Sequence, residues 1–390
     1  MKEVSAAIVG GGPAGLQAAI TLAEQGVETL LFEEHAVIGE PIQCGEGLSI
    51  HAFKDLSIPK NDENFCVREL DTCHLSFPEN QTILGDIHAI MLKRDKFDQF
   101  LSDKAKDLGV KVLTSAKVED LQNRTDGVRI RLKDKNSSEY LAKFLILAEG
   151  PNAKLARKLN FEPPSPMIKA YEYKLKGEWS EKLEFHFDAN KYPFGYCWVF
   201  PRDGETNVGI VTTAKDRKQR LDNFLKLKKI SGDILKKIGG QIPMNGPVNK
   251  LYCGRVLLAG DTAGMVNPIF YGGIRLGMTS GRIAGKSVVN NLKMESERGI
   301  FNLKNYEEDL GKHNFMKKIN LQAHRFFYTR SNRFLTKLGE VSNYSYINRI
   351  EGLQIIKTLG KVLKRPTLLA NPIGLYWLYR GFMIARDWGF

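Results

Sequence analysis

Cysteine is scarce here, with five in 390 residues, at positions 44, 66, 73, 197 and 253. They are scattered and odd in number, with no C-x-x-C pair and no Cys/His cluster. That argues against a disulfide framework and against a zinc or iron–sulfur centre, and fits a reducing, cytoplasmic location. A long apolar run is missing too. Residues 4–23 carry no charge, yet Gly10-Gly11-Gly12-Pro13 interrupts them and no basic segment precedes them, which argues against a signal peptide or a membrane span. The other uncharged stretch, Pro366–Tyr379, has 14 residues, too few to cross a bilayer. There is no internal repeat and no low-complexity tract. Acidic residues run short in one region: residues 304–390 hold 15 Lys and Arg against 6 Asp and Glu, which is +9 of the total +13. That balance points to an anionic partner such as a lipid headgroup.

What is present begins at residues 5–34, SAAIVGGGPAGLQAAITLAEQGVETLLFEE. Small and β-branched residues up to Val9 read as a buried parallel strand. Gly10, Gly12 and Gly15 follow in the spacing G-x-G-x-x-G, then a helix to Gln25, Gly26 at its end, and a second strand over Val27–Phe32. Gly10 allows the tight turn, Gly12 lets backbone approach a pyrophosphate, and Gly15 lets the helix pack on the sheet. Glu33 lies 18 residues after Gly15, where an acid grips ribose hydroxyls. The combination predicts dinucleotide binding at the helix N-terminus.

Further along, Gly39–Ser49 reads as a glycine-rich loop carrying Cys44. Thr72–Phe77 and Gln81–Leu84 read as a hairpin, and Arg94 opens a helix reaching about Leu108. Val110–Leu113, Val128–Leu132 and Tyr140–Leu147 read as strands. Lys169–Lys176, Lys182–Asp188, Tyr196–Phe200 and Asn207–Thr213 alternate as an antiparallel sheet with one face open to a ligand. Lys215–Lys229 is a charged helix. Gly239-Gly240 lacks the strand and helix that a second dinucleotide motif needs. Beyond residue 300 the chain reads as helices, with breaks near Ser342–Tyr346 and at Arg365-Pro366. The expected fold is α/β: a discontinuous Rossmann-type domain from 1–65, 91–160 and 251–300, an antiparallel sheet domain from 66–90 and 161–250, and a helical region from 301–390.

A second motif occupies Val256–Gly285, where an apolar strand delivers Gly260-Asp261, and Asn267-Pro268 and Gly272-Gly273 precede a helix rich in small residues. An Asp at a strand end accepts hydrogen bonds from a ribityl chain, and amides after Gly272 face an electron-rich ring edge. Gly10–Gly15 with Glu33, Arg94 before a helix, and Gly260-Asp261 resemble the FAD fingerprints of the aromatic hydroxylase-type flavoproteins. Cys44-Gly45-Glu46-Gly47, the Tyr196-x-Trp198-x-Phe200-Pro201 stretch and the Asn267-Pro268 loop narrow the resemblance to the geranylgeranyl reductase family.

The resemblance implies FAD, with Ala14 and Gly15 at its phosphates and Glu33 at the ribose. It puts Arg94 and Val118 near the adenosine half, Asp261 at the ribityl chain, and Gly273, Ile274, Cys44, Gly45 and Gly47 at the ring. Tyr196, Trp198, Phe200 and Tyr271 would wall an apolar substrate chamber. The implied reaction is reduction of isolated C=C bonds in prenyl lipids, which needs a proton as well as a hydride. Cys44 is the donor expected from the sequence, with Glu46 as a water-linked source behind it. Two departures from the family pattern stand out, Glu149-Gly150 for the usual Asp-Gly and the bulky Phe270-Tyr271. With no second nucleotide motif, the electrons would come from an external donor, a reduced nicotinamide or a ferredoxin-like carrier. A membrane surface is an expected partner and nucleic acid is not, so the expected location is cytoplasmic and peripheral. A flavin monooxygenase or halogenase is the alternative, because Y-x-W-x-F-P is close to the halogenases' W-x-W-x-I-P with its first Trp missing.

Overall fold

Residues 1–342 and 360–388 are described by a computed structural model. They form two compact units. The first comprises Met1–Ile42, Arg94–Met167 and Pro243–Lys317, and the second Gln43–Lys93, Ile168–Ile242 and Lys318–Phe390.

The first unit is built on a sheet whose order runs Tyr252–Cys253, Val256–Leu258, Glu139–Leu147, Lys2–Val9, Thr29–Phe32, Lys111–Leu113, with the ribbon Val118–Asn123/Val128–Leu132 joined to Glu139–Leu147. The four pairings inward from Val256–Leu258 to Lys111–Leu113 are parallel. Ala6–Val9 and Phe144–Leu147 are buried on both faces, which is why they read as unbroken apolar runs. The helix Pro13–Ala23 starts with proline in its first turn, where the missing N–H costs nothing. It closes with Gly26 at φ +71°, and Val27 N–H donates back to the Leu22 carbonyl at 3.1 Å. That C-terminal turn delays the second strand to Thr29, two residues later than the sequence suggests.

The long helix Ile274–Arg298 packs along Pro13–Ala23 through Gly277, Gly281 and Gly285, one per turn. A Cβ at Gly281 would overlap the Ala14 carbonyl oxygen, and one at Gly285 would stand 3.1 Å from the Ala18 carbonyl oxygen. The stripe brings the two glycine motifs, some 260 residues apart in sequence, into one layer.

The second unit has a sheet in the order Ile234–Pro243, Met167–Lys176, Glu205–Thr212, Tyr196–Pro201, Leu183–His186, Cys66–Phe77, Gln81–Leu92, Gly47–Ser49. Four features depart from the sequence reading. The expected short hairpin has 12 residues on each side. Gly47–Ser49, inside the expected loop, pairs as an edge strand with Ala89–Met91, and Gly239-Gly240 lies within the other edge strand. Neither edge strand carries apolar alternation, so neither announces itself. Leu183–His186 runs parallel to Cys66–Phe77, so the sheet is mixed. That pairing joins segments more than 100 residues apart and is set by packing, not by a turn.

One face of this sheet carries Tyr173, Leu175, Cys197, Val199, Val208 and Ile210 beneath Leu221 and Phe224 of the helix Arg217–Lys228. The other face carries Glu172, Lys174, Tyr196, Trp198, Phe200 and Asn207. The helices Ile319–Tyr328 and Pro372–Trp388 pack together, with Phe327 and Phe382 edge to face at 5.6 Å. A short helix starts at Pro366, as the Arg365-Pro366 break suggests. The break expected at Ser342–Tyr346 runs beyond residue 342, outside the described residues. Among the described residues no helix is long and apolar enough to cross a membrane.

Candidate functional site

In the first unit, the turn after Val9 is set by Gly10 at φ +106°, where a Cβ would run into the Ala148 backbone. Gly15 is equally confined, against the Gly10 carbonyl. Gly12 is different: a Cβ there would meet nothing within 4 Å. Gly10 and Gly15 are therefore required by the fold, whereas Gly12 is open on the protein side. Ala14 and Gly15 present first-turn amides with no partner inside their own helix.

Glu33, at the end of the second strand, accepts the Gly11 N–H at 2.7 Å and the His35 N–H at 2.9 Å, with His35 Nδ1 at 2.6 Å. The acid is thereby tied to the glycine turn. Arg94 grips Asp98 through Nε at 3.1 Å and Nη2 at 3.0 Å. Burial raises the Asp98 carboxyl, and Arg94 opposes the shift. Val118 is buried at the start of its ribbon strand. Glu149 accepts the Leu155 and Ala156 amides at 2.9 and 2.7 Å, capping the helix Lys154–Lys158. The Glu-for-Asp departure thus has a local structural role.

Asp261 sits in the 3-10 turn Gly260–Ala263, after the strand Val256–Leu258. Burial pushes its carboxyl up to about 6, with Arg94 pulling the other way. Its Oδ1 would stand 3.1 Å from a Cβ on Gly273, and Gly260 similarly abuts Ala14. Asp261, Gly273 and Ala14 are therefore neighbours, and Ile274 begins the helix behind them. The intervening loop is knotted by Asn267, whose Oδ1 accepts the Ile269 N–H at 2.8 Å and whose carbonyl accepts the Tyr271 N–H at 2.8 Å. Tyr271 is buried at φ +55°, a left-handed backbone that a bulky side chain rarely adopts.

In the second unit, Cys44, Gly45 and Gly47 flank Glu46, itself left-handed at φ +68° and fully buried. Its carboxylate accepts Arg202 Nη1 at 2.9 Å, Lys174 Nζ at 3.0 Å and Asn207 Nδ2 at 3.0 Å, while its N–H donates to Cys44 Sγ at 3.2 Å. Burial alone would raise Glu46. Arg202 and Lys174, with the Asn207 bond, outweigh it and leave the carboxyl below its ordinary range. Lys174, Arg202 and Asn207 were not found from the sequence. A Lys or Glu on an alternating strand ordinarily marks the solvent face, and here that face is covered.

Tyr196, Trp198 and Phe200 share the same covered face, all between 5 and 6 % exposed. Phe185 lies 5.3 Å from Tyr196 and 5.2 Å from Phe200, and Phe187 continues the row to Phe327 at 5.1 Å. Trp198 fits because Gly209 faces it: a Cβ there would overlap the indole.

Residues 6–150 match the FAD dependent oxidoreductase family model. Digeranylgeranylglycerophospholipid reductase 2 of Methanopyrus kandleri is 31% identical over 94% of this chain and 98% of the relative. The chain belongs to the digeranylgeranylglycerophospholipid reductase family. As a member of that family it is an FAD-dependent oxidoreductase. Solved structures extend the likeness in fold. A geranylgeranyl bacteriochlorophyll reductase-like protein from Thermoplasma acidophilum superposes with a TM-score of 0.84 at 24% identity, covering 96% of this chain and 100% of that one. A flavin-dependent brominase does so at 0.71 and 17%, covering 96% and 99%. At those identities both neighbours speak to the fold alone.

Proposed function

We propose that this family member saturates isolated C=C bonds in the prenyl chains of a glycerophospholipid. The observation that carries the reading is the near full-length match to a relative named for that substrate. Supporting it is the aromatic row Phe200, Phe185, Tyr196 and Phe187 on one buried sheet face, a surface suited to an apolar chain. The brominase shares only the fold and favours no second reading.

The residues of the first unit suit FAD. Gly12 leaves room for a pyrophosphate, and Ala14 and Gly15 supply amides. Glu33 faces the ribose from the glycine turn, while Arg94 and Val118 serve the adenosine half. Asp261 is a carboxyl short of hydrogen-bond donors, and a ribityl hydroxyl donates to such a group. Gly273 and Ile274 present the start of a 25-residue helix to the ring. The resemblance assigns Cys44, Gly45 and Gly47 to the ring as well, and that assignment belongs to the proposal. Bound and reduced, FAD would supply a hydride to one alkene carbon. The buried aromatic face of Tyr196, Trp198 and Phe200 would exclude water around the other carbon, which must receive a proton.

The electrons would arrive from an external carrier, nicotinamide or ferredoxin-like. The lipid would be met at a membrane surface, where Ile373, Tyr376 and Tyr379 lie exposed on the helix Pro372–Trp388 beside Arg380. The deciding experiment incubates dithionite-reduced protein with geranylgeranyl glycerophospholipids without oxygen. Mass gains of two hydrogens per double bond are expected, and unchanged lipid beside reoxidised flavin would reject the reading.

A further inference from the structure

We infer that Glu172, on the aromatic face of the second unit, is the acid that gives the alkene its proton. The inference rests on the prenyl-reductase reading above and adds the identity of the proton donor.

Glu172 lies on the inner strand Met167–Lys176 and is 2 % exposed. Its Oε1 has no hydrogen-bond partner among the described residues. Its Oε2 stands 3.7 Å from the point a Gly45 Cβ would occupy, with the Phe200 ring at 3.3 Å from the same point. Across the sheet, Glu172, Gly209 and Trp198 form one row, and the next row is Lys174, Asn207 and Phe200. The bare Gly209 lets the indole lie towards Glu172. The carboxyl therefore borders both the aromatic stripe and the Cys44–Gly47 loop.

The charges around it decide its state. Glu46 faces it from the loop, Lys174 from its own strand and Arg202 from just past the end of the strand Tyr196–Pro201. Both cations already bond to Glu46. Desolvation, reinforced by negative Glu46, holds Glu172 protonated well above the ordinary range, against the pull of Lys174, Arg202 and Trp198. A carboxylic acid kept neutral beside an apolar surface retains its proton until a strong demand appears.

The step balances. Glu172 gives its proton to the less substituted alkene carbon, and the π pair becomes that C–H bond. The tertiary carbon takes the hydride carried by the reduced flavin, which is oxidised by two electrons as the alkene is reduced. The Glu172 carboxylate left behind recovers a proton from solvent.

Glu172→Gln tests this cleanly, because it keeps both the size and the neutrality of the acid. The variant should retain FAD, while anaerobic single-turnover hydrogenation of a geranylgeranyl glycerophospholipid falls about 10²–10⁴-fold. The wild-type rate should fall as pH rises through the raised Glu172 value, and the variant should lose that limb. Without lipid, the wild-type-minus-variant infrared spectrum at pH 7 should show a protonated carboxyl band. The variant's Tm should exceed wild type by a margin that grows as pH rises above 4.5, since only the wild type must hold an acid neutral on folding. Absence of the carboxyl band, or turnover by Glu172→Gln within about threefold of wild type, overturns the inference. So does a loss confined to Cys44→Ala, which returns the proton to the thiol. If wild type hydrogenates no prenyl lipid, the substrate reading falls and takes this step with it. The infrared band still reports the protonation of Glu172, so the two failures are distinguishable.

Discussion

The two units solve the same problem, a polar task inside a packed interior, in opposite ways. The first works with backbone. Its key positions are glycines, and the groups proposed for the cofactor are helix amides, a turn carboxylate held by amides, and Asp261 beside a missing side chain. The second works with side chains. Glu46, Lys174, Arg202, Asn207 and Glu172 gather two carboxyls and two cations beside a sheet face otherwise aromatic. A backbone site tolerates many neighbours but no added atoms at its contacts. A charged site tolerates shape changes but no lost partner.

The largest effect should come from breaking the charged side. Arg202→Ala leaves Glu46 short of a buried partner and frees the Leu92 carbonyl, and a loss of about 3–5 kcal/mol is expected in denaturant titration. The sign with pH follows from Glu46. Its folded pKa is depressed, so the pairing stabilises above its ordinary 4.5 and is lost as pH falls through the lower folded value. The gap between variant and wild type should therefore narrow in acid. A gap independent of pH would show that Arg202 acts by packing alone.

On the backbone side, Gly281→Val should cost about 3 kcal/mol, because the added atoms meet the Ala14 carbonyl rather than a movable side chain. Gly12→Val sharpens the point. With nothing near its Cβ, the variant should stay within about 1 kcal/mol of wild type by thermal unfolding and yet purify without yellow colour. Joint loss of fold and flavin would make Gly12 structural like its neighbours.

Asp261→Asn should weaken FAD by about 1.5–3 kcal/mol through one charge-assisted hydrogen bond. Since the wild-type carboxyl titrates near 6, its affinity should fall as pH drops below that value, whereas the variant's should not. Parallel curves would remove the ribityl role.

The smallest effect is at the surface. Ile373→Ser with Tyr376→Ser should lower partition onto anionic vesicles about tenfold, roughly 1.4 kcal/mol. Salt should weaken wild-type binding, since headgroup attraction is screened over ~8 Å. Sedimentation unchanged by either would leave the exposed face without a lipid role.

The first unit was legible in the chain itself. G-x-G-x-x-G between apolar runs, an acid at the second strand's end and Gly272-Gly273 before a small-residue helix are local patterns, each forced by backbone geometry within a few residues. Tyr196, Trp198 and Phe200 were legible for the same reason, since a strand's period of two puts them on one face wherever the strand lies. Only tertiary structure could say what that face meets. It decided that Leu183–His186 pairs in parallel with Cys66–Phe77, that Gly47–Ser49 becomes an edge strand, and that Gly209 opens the row between Trp198 and Glu172. It also turned Glu46 from a solvated loop acid into the hub of Arg202, Lys174 and Asn207. Charge along a strand encodes which residues share a face. Whether that face is wet or buried depends on segments more than a hundred residues away, and with it whether Glu172 keeps its proton.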